Sequence, residues 1–422
     1  MQFFAPKFLA CAVIVPLLLS LAACGPGAYG TPRSSSAIVT DDPTKLPDMS
    51  WQTPSQRQVL MSQNQQMATT PAAPEPAGTA VKVAVLVPLS GKNASLGQSM
   101  LKAAQLALYD VGSHNFELIT ADTGSTAQGA ASAAQRAIAD GANLILGPIF
   151  AEDVRAAKPV AGPANVPMVA FTTDWTLADG NTYIFGFLPT LQAERVVSYA
   201  QSRGLSRLAV VAPNTEYADL IVTAINRMSM PIATLRYKPG QPDLTQQLAS
   251  FAAQNKTPDG AFTFDSVLLP LGGESLRSLT AQLDQYGIRG SAVRFIGTGL
   301  WDDTTALSDP MLNGGWFAAP DPAARIDFER RYQQTFGDAP PRLATLAYDA
   351  TALAAVLARS DNSGRPYSRD RMTAARGFAG IDGVFRFRND GLAERALAIV
   401  EIAKGTTRVI DPAPTAFARG GM

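Results

Sequence analysis

The side chains that most often perform chemistry in proteins are scarce in this sequence. Its 422 residues include two cysteines and one histidine, His114. A zinc site or a Ser-His-Asp triad could therefore be assembled in very few ways. Gly91-Lys92 lacks the upstream glycine of a phosphate-binding loop, Gly297-Thr298-Gly299 does not continue into a dinucleotide fingerprint, and Gly97-Gln98-Ser99 lacks the second glycine of a nucleophile elbow. The sequence predicts a protein that is not an enzyme and holds no cofactor and no metal.

The charged residues are balanced, with 35 Lys and Arg against 35 Asp and Glu. A nucleic-acid-binding protein needs a basic face or arm, which this balance does not favour. Hydrophobic residues make up 46% of the chain, as in ordinary globular proteins. The sequence therefore predicts no nucleic-acid partner. At ~100–200 residues per domain, its length allows two or three domains.

The first 24 residues resemble the signal of a bacterial lipoprotein. Lys7 precedes the uncharged apolar stretch Phe8–Leu21, which is shorter than the roughly 20 residues that span a bilayer. The stretch ends in Leu21-Ala22-Ala23-Cys24, which resembles a lipobox. The resemblance implies that residues 1–23 are removed and that Cys24 carries acyl chains such as palmitate, the only contact with the membrane. The alternative is an ordinary signal peptide in which Cys24 is incidental.

Residues 24–79 have the composition of a flexible tether. Prolines recur through the segment with Ser, Thr, Gln and Ala between them, and the apolar residues show no sustained period. Such a segment cannot bury enough apolar surface to offset the entropy of ordering it. We therefore expect a disordered Pro/Ser/Gln-rich tether that holds a folded body away from a membrane.

From Val81 onward, apolar strand patterns alternate with helical ones. The predicted strands are Val81–Val87, Phe116–Ala121, Asn143–Leu146, Pro167–Phe171, Tyr183–Phe187, Leu208–Ala212, Ile232–Tyr237, Ser266–Leu269 and Arg294–Gly297. Strand–helix units that repeat in this way predict an α/β fold with two doubly wound, mostly parallel sheets. Ligands on such sheets bind beyond the carboxyl ends of the strands.

Three stretches resemble type I periplasmic binding proteins of the leucine-binding kind. They are Val85–Gly91 with the following Leu96-Gly97, Ile145–Phe150, and Gly383–Gly391 with the later Ile399-Val400. The resemblance implies two Rossmann-like lobes joined by a hinge. Lobe one would combine 80–187 with about 320–365, and lobe two would combine 188–319 with about 366–412. Hinge closure around a ligand or partner would be the mechanism.

The resemblance also implies where a ligand would lie. In amino-acid carriers of this family, hydroxyls and backbone amides of lobe one hold the carboxylate of the ligand, and lobe two supplies an acid and an aromatic side chain. The corresponding candidates for ligand contact in this chain are Ser90, Gly91, Ile149, Phe150, Thr172, Thr173, Tyr217 and Trp301. Each of them also has an ordinary reading as a turn, cap or packing residue. At the third loop, Ala151–Asp153 replaces the expected run of Ser and Thr, and its two acids would repel a carboxylate.

Two functions remain open. Gly147–Val154, Gly297–Asp302 and Gly314–Ala318 resemble penicillin-binding protein activator lipoproteins, which implies a regulator of peptidoglycan synthesis that contacts a penicillin-binding protein. The alternative is the substrate-binding component of a transporter for an amino acid or a similar small molecule, with the ligand in the interlobe cleft. The activator resemblance and the length of the tether favour the first. The expected location is the outer membrane of a Gram-negative bacterium, facing the periplasm.

Overall fold

The computed structural model describes residues 80–112, 115–228 and 232–417. Cys24, the expected signal segment, the expected tether and His114 lie outside these residues. Within the described ranges, no helix has both the length and the apolar character needed to cross a membrane.

Strands and helices alternate along the described chain, as the sequence predicts. The strands are β1 (Val81–Val87), β2 (Phe116–Asp122), β3 (Leu144–Leu146), β4 (Met168–Ala170), β5 (Thr182–Ile184), β6 (Leu208–Pro213), β7 (Ile232–Tyr237), β8 (Ser266–Leu268), β9 (Arg294–Gly297), β10 (Trp316–Ala319), β11 (Phe385–Phe387), β12 (Ala393–Arg395), β13 (Ala398–Ala403) and β14 (Thr406–Asp411). The helices are α1 (Ala94–Val111), α2 (Ala127–Ala139), α3 (Ala151–Ala161), α4 (Pro189–Ser202), α5 (Glu216–Arg227), α6 (Thr245–Gln254), α7 (Gly273–Gln285), α8 (Thr304–Leu307), α9 (Pro322–Phe336), α10 (Ala344–Arg359) and α11 (Arg369–Met372).

The first sheet is wholly parallel and has the order β2-β1-β3-β4-β5. Helices cover both of its faces, so that Val83–Val87 of β1 is completely buried. Helices α1, α9 and α10 pack on one face, and α2 and α3 pack on the other. This sheet and its helices are called lobe one below.

The second sheet repeats the strand order of the first. Its parallel part runs β7-β6-β8-β9-β10, and β13 and β14 extend it in antiparallel pairing beyond β10. Helices α4 and α5 cover one face, and α6 and α7 cover the other. This sheet and its helices are called lobe two. The predicted α/β class with two doubly wound lobes is therefore confirmed.

The chain passes between the lobes in three segments, which together form the lobe junction. Residues 185–188 lead from β5 to α4, residues 320–321 lead from β10 to α9, and residues 396–397 lead from β12 to β13. The first two segments leave from the carboxyl ends of β5 and β10. The carboxyl ends of both sheets therefore lie at the junction.

The hairpin of β11 and β12 does not pack where the sequence analysis expects it. The rings of Phe385 and Phe387 lie in the core of lobe one, with centroids 4.7 and 5.5 Å from that of Phe185. The amide of Ile184 donates to the carbonyl of Gly391 at 2.8 Å. The part of the chain assigned to lobe two from about 366 thus packs with lobe one as far as β12, because its alternate aromatic residues complete that core.

Candidate ligand-binding site

The candidate site is the edge where the strands of each sheet end and their loops face the junction. In lobe one the strand order reverses between β1 and β3, and such a switch point is the usual ligand position in an open α/β sheet. In lobe two the loop after β9 reaches toward lobe one. Its Asp302 pairs with Arg325 of α9 at 2.9 Å. The loops of both sheets therefore line the same region.

Ser90 and Gly91 follow β1 and are exposed. The hydroxyl of Ser90 donates to the Asp122 carboxylate at 2.6 Å, and the amides of Leu89 and Gly124 donate to it at 2.8 Å. Burial alone would raise the pKa of Asp122, but these hydrogen bonds outweigh it and hold the pKa below its usual value. The Ser90 hydroxyl is thus committed to organising the loop.

The loop after β3 presents two acids and no hydroxyl side chain between Ile149 and Asp153. Ile149 is buried in the core of lobe one, and Phe150 is half-buried against that core. Glu152 is exposed, whereas Asp153 is only 4% exposed and one of its carboxylate oxygens has no hydrogen-bond partner. Burial and the charge of Glu152 raise the pKa of Asp153, against the opposing effect of Lys92. This wall of the site is acidic, and a ligand carboxylate would be repelled there.

The loop after β4 contains two hydroxyls with different roles. Thr172 is buried, and its hydroxyl accepts from the amide of Asp174 at 3.1 Å. Thr173 is exposed and able to contact a ligand. The Asp174 side chain caps a short 3-10 helix, accepting from the Thr176 amide at 3.1 Å. That turn carries the ring of Trp175, which is 44% exposed.

Tyr217 joins two loops of lobe two. It lies in the first turn of α5, and its hydroxyl is 2.8 Å from the hydroxyl of Thr298, which follows β9. Burial raises the pKa of Tyr217 to about 12, although the hydrogen bond with Thr298 acts in the opposite direction. The ring packs against the core beside α4 and α5. Tyr217 therefore holds the loop after β9 in position.

Trp301 has no surface that could contact a ligand. It is 0% exposed, lies in the core of lobe two, and donates from its indole nitrogen to the Leu271 carbonyl at 3.2 Å. A Cβ at Gly297 would lie 2.1 Å from the indole ring, so glycine is required there for the ring to fit. The neighbouring Leu300 is 43% exposed instead. The expected ligand role of Trp301 is therefore corrected: the side chain facing outward at this turn is Leu300.

Several residues that shape the site escaped the sequence analysis. Asp122 is the last residue of β2 and Thr298 directly follows β9, and they accept or share the hydrogen bonds that hold the loops. Asp349 is buried in the middle of the apolar helix α10, and a charge in such a position is a recognisable signal. Among the described residues, no group of three His, Cys, Asp or Glu is placed to hold a metal ion.

Comparisons with known proteins agree with this architecture. A family model described as periplasmic binding protein matches residues 80–407. A curated relative, an uncharacterized protein of Rickettsia prowazekii, is 22% identical over 141 residues, which make up 33% of this chain and 38% of the relative. The match to that relative thus spans well under half of its length.

Solved structures give the same result over most of the chain. A Rhodospirillum rubrum protein described as belonging to a branched-chain amino acid ABC transporter has a TM-score of 0.69 at 20% identity, over 78% of this chain and 100% of that one. A branched-chain amino acid transporter substrate-binding protein of Streptococcus pneumoniae, solved with isoleucine, has a TM-score of 0.55 at 19% identity over 79% and 100%. A solute-binding protein of R. palustris, solved with benzoate, has a TM-score of 0.55 at 17% identity over 80% and 98%. At these identities the likeness establishes the fold.

Proposed function

Because the chain belongs to the periplasmic binding protein family, we propose that it is the substrate-binding component of an ABC-type transporter. It would capture a small organic molecule between its lobes by hinge closure, without covalent chemistry. The family itself indicates a location in the periplasm or cell envelope. This is the alternative of the two functions open from the sequence. The comparisons lend no support to a regulator of peptidoglycan synthesis or to a penicillin-binding protein partner.

The observation that carries the proposal is the position of two exposed apolar side chains. Trp175 follows β4 in lobe one and Leu300 follows β9 in lobe two, so each lobe presents one at the carboxyl end of its sheet. Exposed large apolar groups at such an edge favour a ligand with an apolar body. The structural neighbours bind isoleucine and benzoate, both of which have one.

The polar part of the ligand is constrained by the loops of lobe one. The Ser90 hydroxyl is used by Asp122, and Glu152 and Asp153 make the loop after β3 acidic. Among the candidate contact residues of lobe one, Thr173 therefore offers an exposed hydroxyl to a carboxylate or hydroxyl of the ligand. In the amino-acid carriers, the loop after β3 has a run of Ser and Thr that holds the carboxylate of the ligand. We infer that this loop does not hold a ligand carboxylate in this protein.

A thermal-shift screen of the full chain tests the proposal. The panel contains the standard amino acids, aromatic carboxylates including benzoate, and peptidoglycan fragments. A ligand at 100 times its Kd should stabilise the protein by ~2.7 kcal/mol. W175A and L300A should each weaken that stabilisation, whereas I326A, which removes an exposed apolar side chain from α9, should leave it unchanged. Equal weakening by all three variants, or stabilisation by peptidoglycan fragments alone, would refute the proposal.

We also propose that Cys24 is lipidated and tethers the body to the envelope through residues 24–79. The proposal rests on the lipobox resemblance of Leu21–Cys24. Two or more acyl chains give stable attachment, whereas one gives marginal binding. Mass spectrometry should find acyl chains on Cys24 as the first residue, and membrane fractionation should recover C24S in the soluble fraction. An unmodified Cys24 in the mature protein would refute the anchor.

A further inference from the structure

Four buried or half-buried charged residues meet at the lobe junction. They are Arg342, Asp349, Asp382 and Arg395, and we call them the junction cluster. Asp349 and Asp382 are almost completely buried, as is the side chain of Arg395. Isolated charges at this depth are costly unless they are paired. The pairing of these charges therefore affects the stability of the lobe junction.

Arg395 ties two of the three junction segments together. It ends β12, directly before residues 396–397, and donates to the carbonyl of Phe185 in the first segment at 3.1 Å. Its guanidinium lies over the rings of Phe185 and Phe187, 4.2 and 5.2 Å from their centroids. Arg342 lies over Phe187 as well, at 4.2 Å. The two arginines thus contact the segment that leads from lobe one to lobe two.

The two carboxylates are not equivalent. Asp382 accepts from Arg342 at 2.7 Å and from the Thr345 hydroxyl at 2.5 Å, so its charge is well compensated. Asp349 accepts from the Ile381 amide at 2.7 Å, but its nearest cation is the Nη1 of Arg395 at 3.9 Å. That Nη1 and the Nε of Arg395 have no hydrogen-bond partner. The Asp349–Arg395 ion pair is therefore longer than the Asp382–Arg342 ion pair and lacks a hydrogen bond.

The remaining polar neighbours do not compensate Asp349 more closely. On its own helix, Thr345 is bonded to Asp382, and Tyr348 donates to Asp110 at 2.7 Å. From the loop after β9, the charge of Asp302 acts on Arg342. Burial and the charge of Asp382 raise the pKa of Asp349 to about 7, against the opposing effect of Arg395, whereas arginine pairing keeps the pKa of Asp382 low.

We propose that the junction cluster is a proton-sensitive switch: a proton on Asp349 holds the lobe junction in the arrangement described here, and loss of that proton loosens it. When Asp349 is ionised, its charge lies beside that of ionised Asp382 in a buried site. The repulsion between the two carboxylates decreases when the junction opens and admits water. By linkage, the arrangement in which Asp349 holds its proton more tightly is favoured at lower pH. The lobes should therefore be held more rigidly below neutral pH than above it.

Distance measurement between spin labels on the two lobes tests the switch without any ligand. The full chain carries labels at Q128C and Q246C, which replace exposed residues at the starts of α2 and α6. Cys11 and Cys24 are replaced by serine, and H114Q removes a histidine that would ordinarily titrate in the same range. From pH 6 to pH 8, the distance distribution should broaden and its mean should lengthen.

Two variants separate the switch from a general effect of pH. D349N, a mimic of the protonated acid, should keep the narrow distribution at both pH values. D309N, which alters a buried carboxylate of lobe two that bonds Thr280, should retain the broadening of the parent. Absence of a pH response in the parent would overturn the proposal even if D349N failed to fold. An unchanged response in folded D349N would also overturn it. Since no ligand is involved, either failure leaves the proposed transport function standing.

Discussion

At the scale of residues, Tyr217 shows how a candidate ligand residue can act through another side chain. Its hydroxyl shares a hydrogen bond with the buried Thr298, so Y217F leaves the Thr298 hydroxyl without that partner. Loss of one such buried hydrogen bond should lower the free energy of unfolding by ~1–2 kcal/mol. Urea unfolding measures this change. In a double-mutant cycle, T298V should cost less in the Y217F background than in the parent; equal costs in both would mean that the pair does not interact.

Trp301 and Leu300 are adjacent, but truncation should affect stability strongly at Trp301 and very little at Leu300. W301A removes a fully buried ring and should lower the free energy of unfolding by ~3–5 kcal/mol. L300A should change it by less than ~0.5 kcal/mol, since its side chain is exposed. Urea unfolding of both variants decides between these roles. A small loss in W301A would contradict the assignment of Trp301 to the core.

These two residues also mark what could be predicted at this scale. The sequence places both just beyond a strand of lobe two, at a turn that begins with Gly297. It does not reveal which of two successive apolar side chains points inward, because the 3-10 helix Gly299–Trp301 is a single turn and is too short to show a hydrophobic period. Trp301 can point inward because Gly297 has no side chain: a Cβ there would lie 2.1 Å from the indole ring. That close approach is visible only in three dimensions.

At the scale of elements, the hairpin of β11 and β12 should stabilise lobe one in particular. F387A removes a buried ring that packs on Tyr183 and Phe185. We expect a loss of ~3–5 kcal/mol in the free energy of unfolding, with faster amide exchange in β4 and β5. Hydrogen exchange read by mass spectrometry should find β6, β8 and β9 unchanged. Equal acceleration in those strands of lobe two would contradict the packing described.

The same hairpin shows the limit of prediction for elements. The resemblance of Gly383–Gly391 and Ile399-Val400 to the binding-protein family drew attention to this region, and alternating apolar residues in a strand report which side chains share a face. The pattern carries no information on which of two sheets the strand completes. Helix α10 is the opposite case. Its Ala- and Leu-rich sequence predicts a buried helix, and that helix covers lobe one. Long, strongly periodic elements were therefore predictable, and the partner of a short hairpin was not.

At the scale of the whole molecule, the titration of Asp349 should appear in global stability. Its pKa is raised in the folded state, so the folded protein binds more protons than the unfolded chain between about pH 4 and 7. Its contribution to the free energy of unfolding is therefore largest at low pH and is lost as the pH rises through this range. Urea unfolding at pH 5 and pH 8 should show a smaller loss in D349N than in the parent. A parallel loss in both would contradict the titration.

The arrangement of the whole molecule followed from the sequence more fully than its ligand did. Repeated strand–helix units predicted two doubly wound lobes, because the order of elements constrains the topology strongly. The ligand depends on a few exposed side chains such as Trp175, Thr173 and Leu300, whose orientation no periodicity determines. Three of the expected contacts proved to be committed elsewhere: Ser90 to Asp122, and Ile149 and Trp301 to the cores.

The proposed function requires the two lobes to close on a small organic ligand. Its most direct test is the interlobe distance between the labels at Q128C and Q246C, measured at constant pH. The added compound is the member of the amino-acid and aromatic carboxylate panel that most raises the Tm. We expect a shorter mean distance on addition, an effect weakened by L300A and preserved in I326A. A panel that contains no binder, or a bound ligand that leaves the distance unchanged, would contradict it.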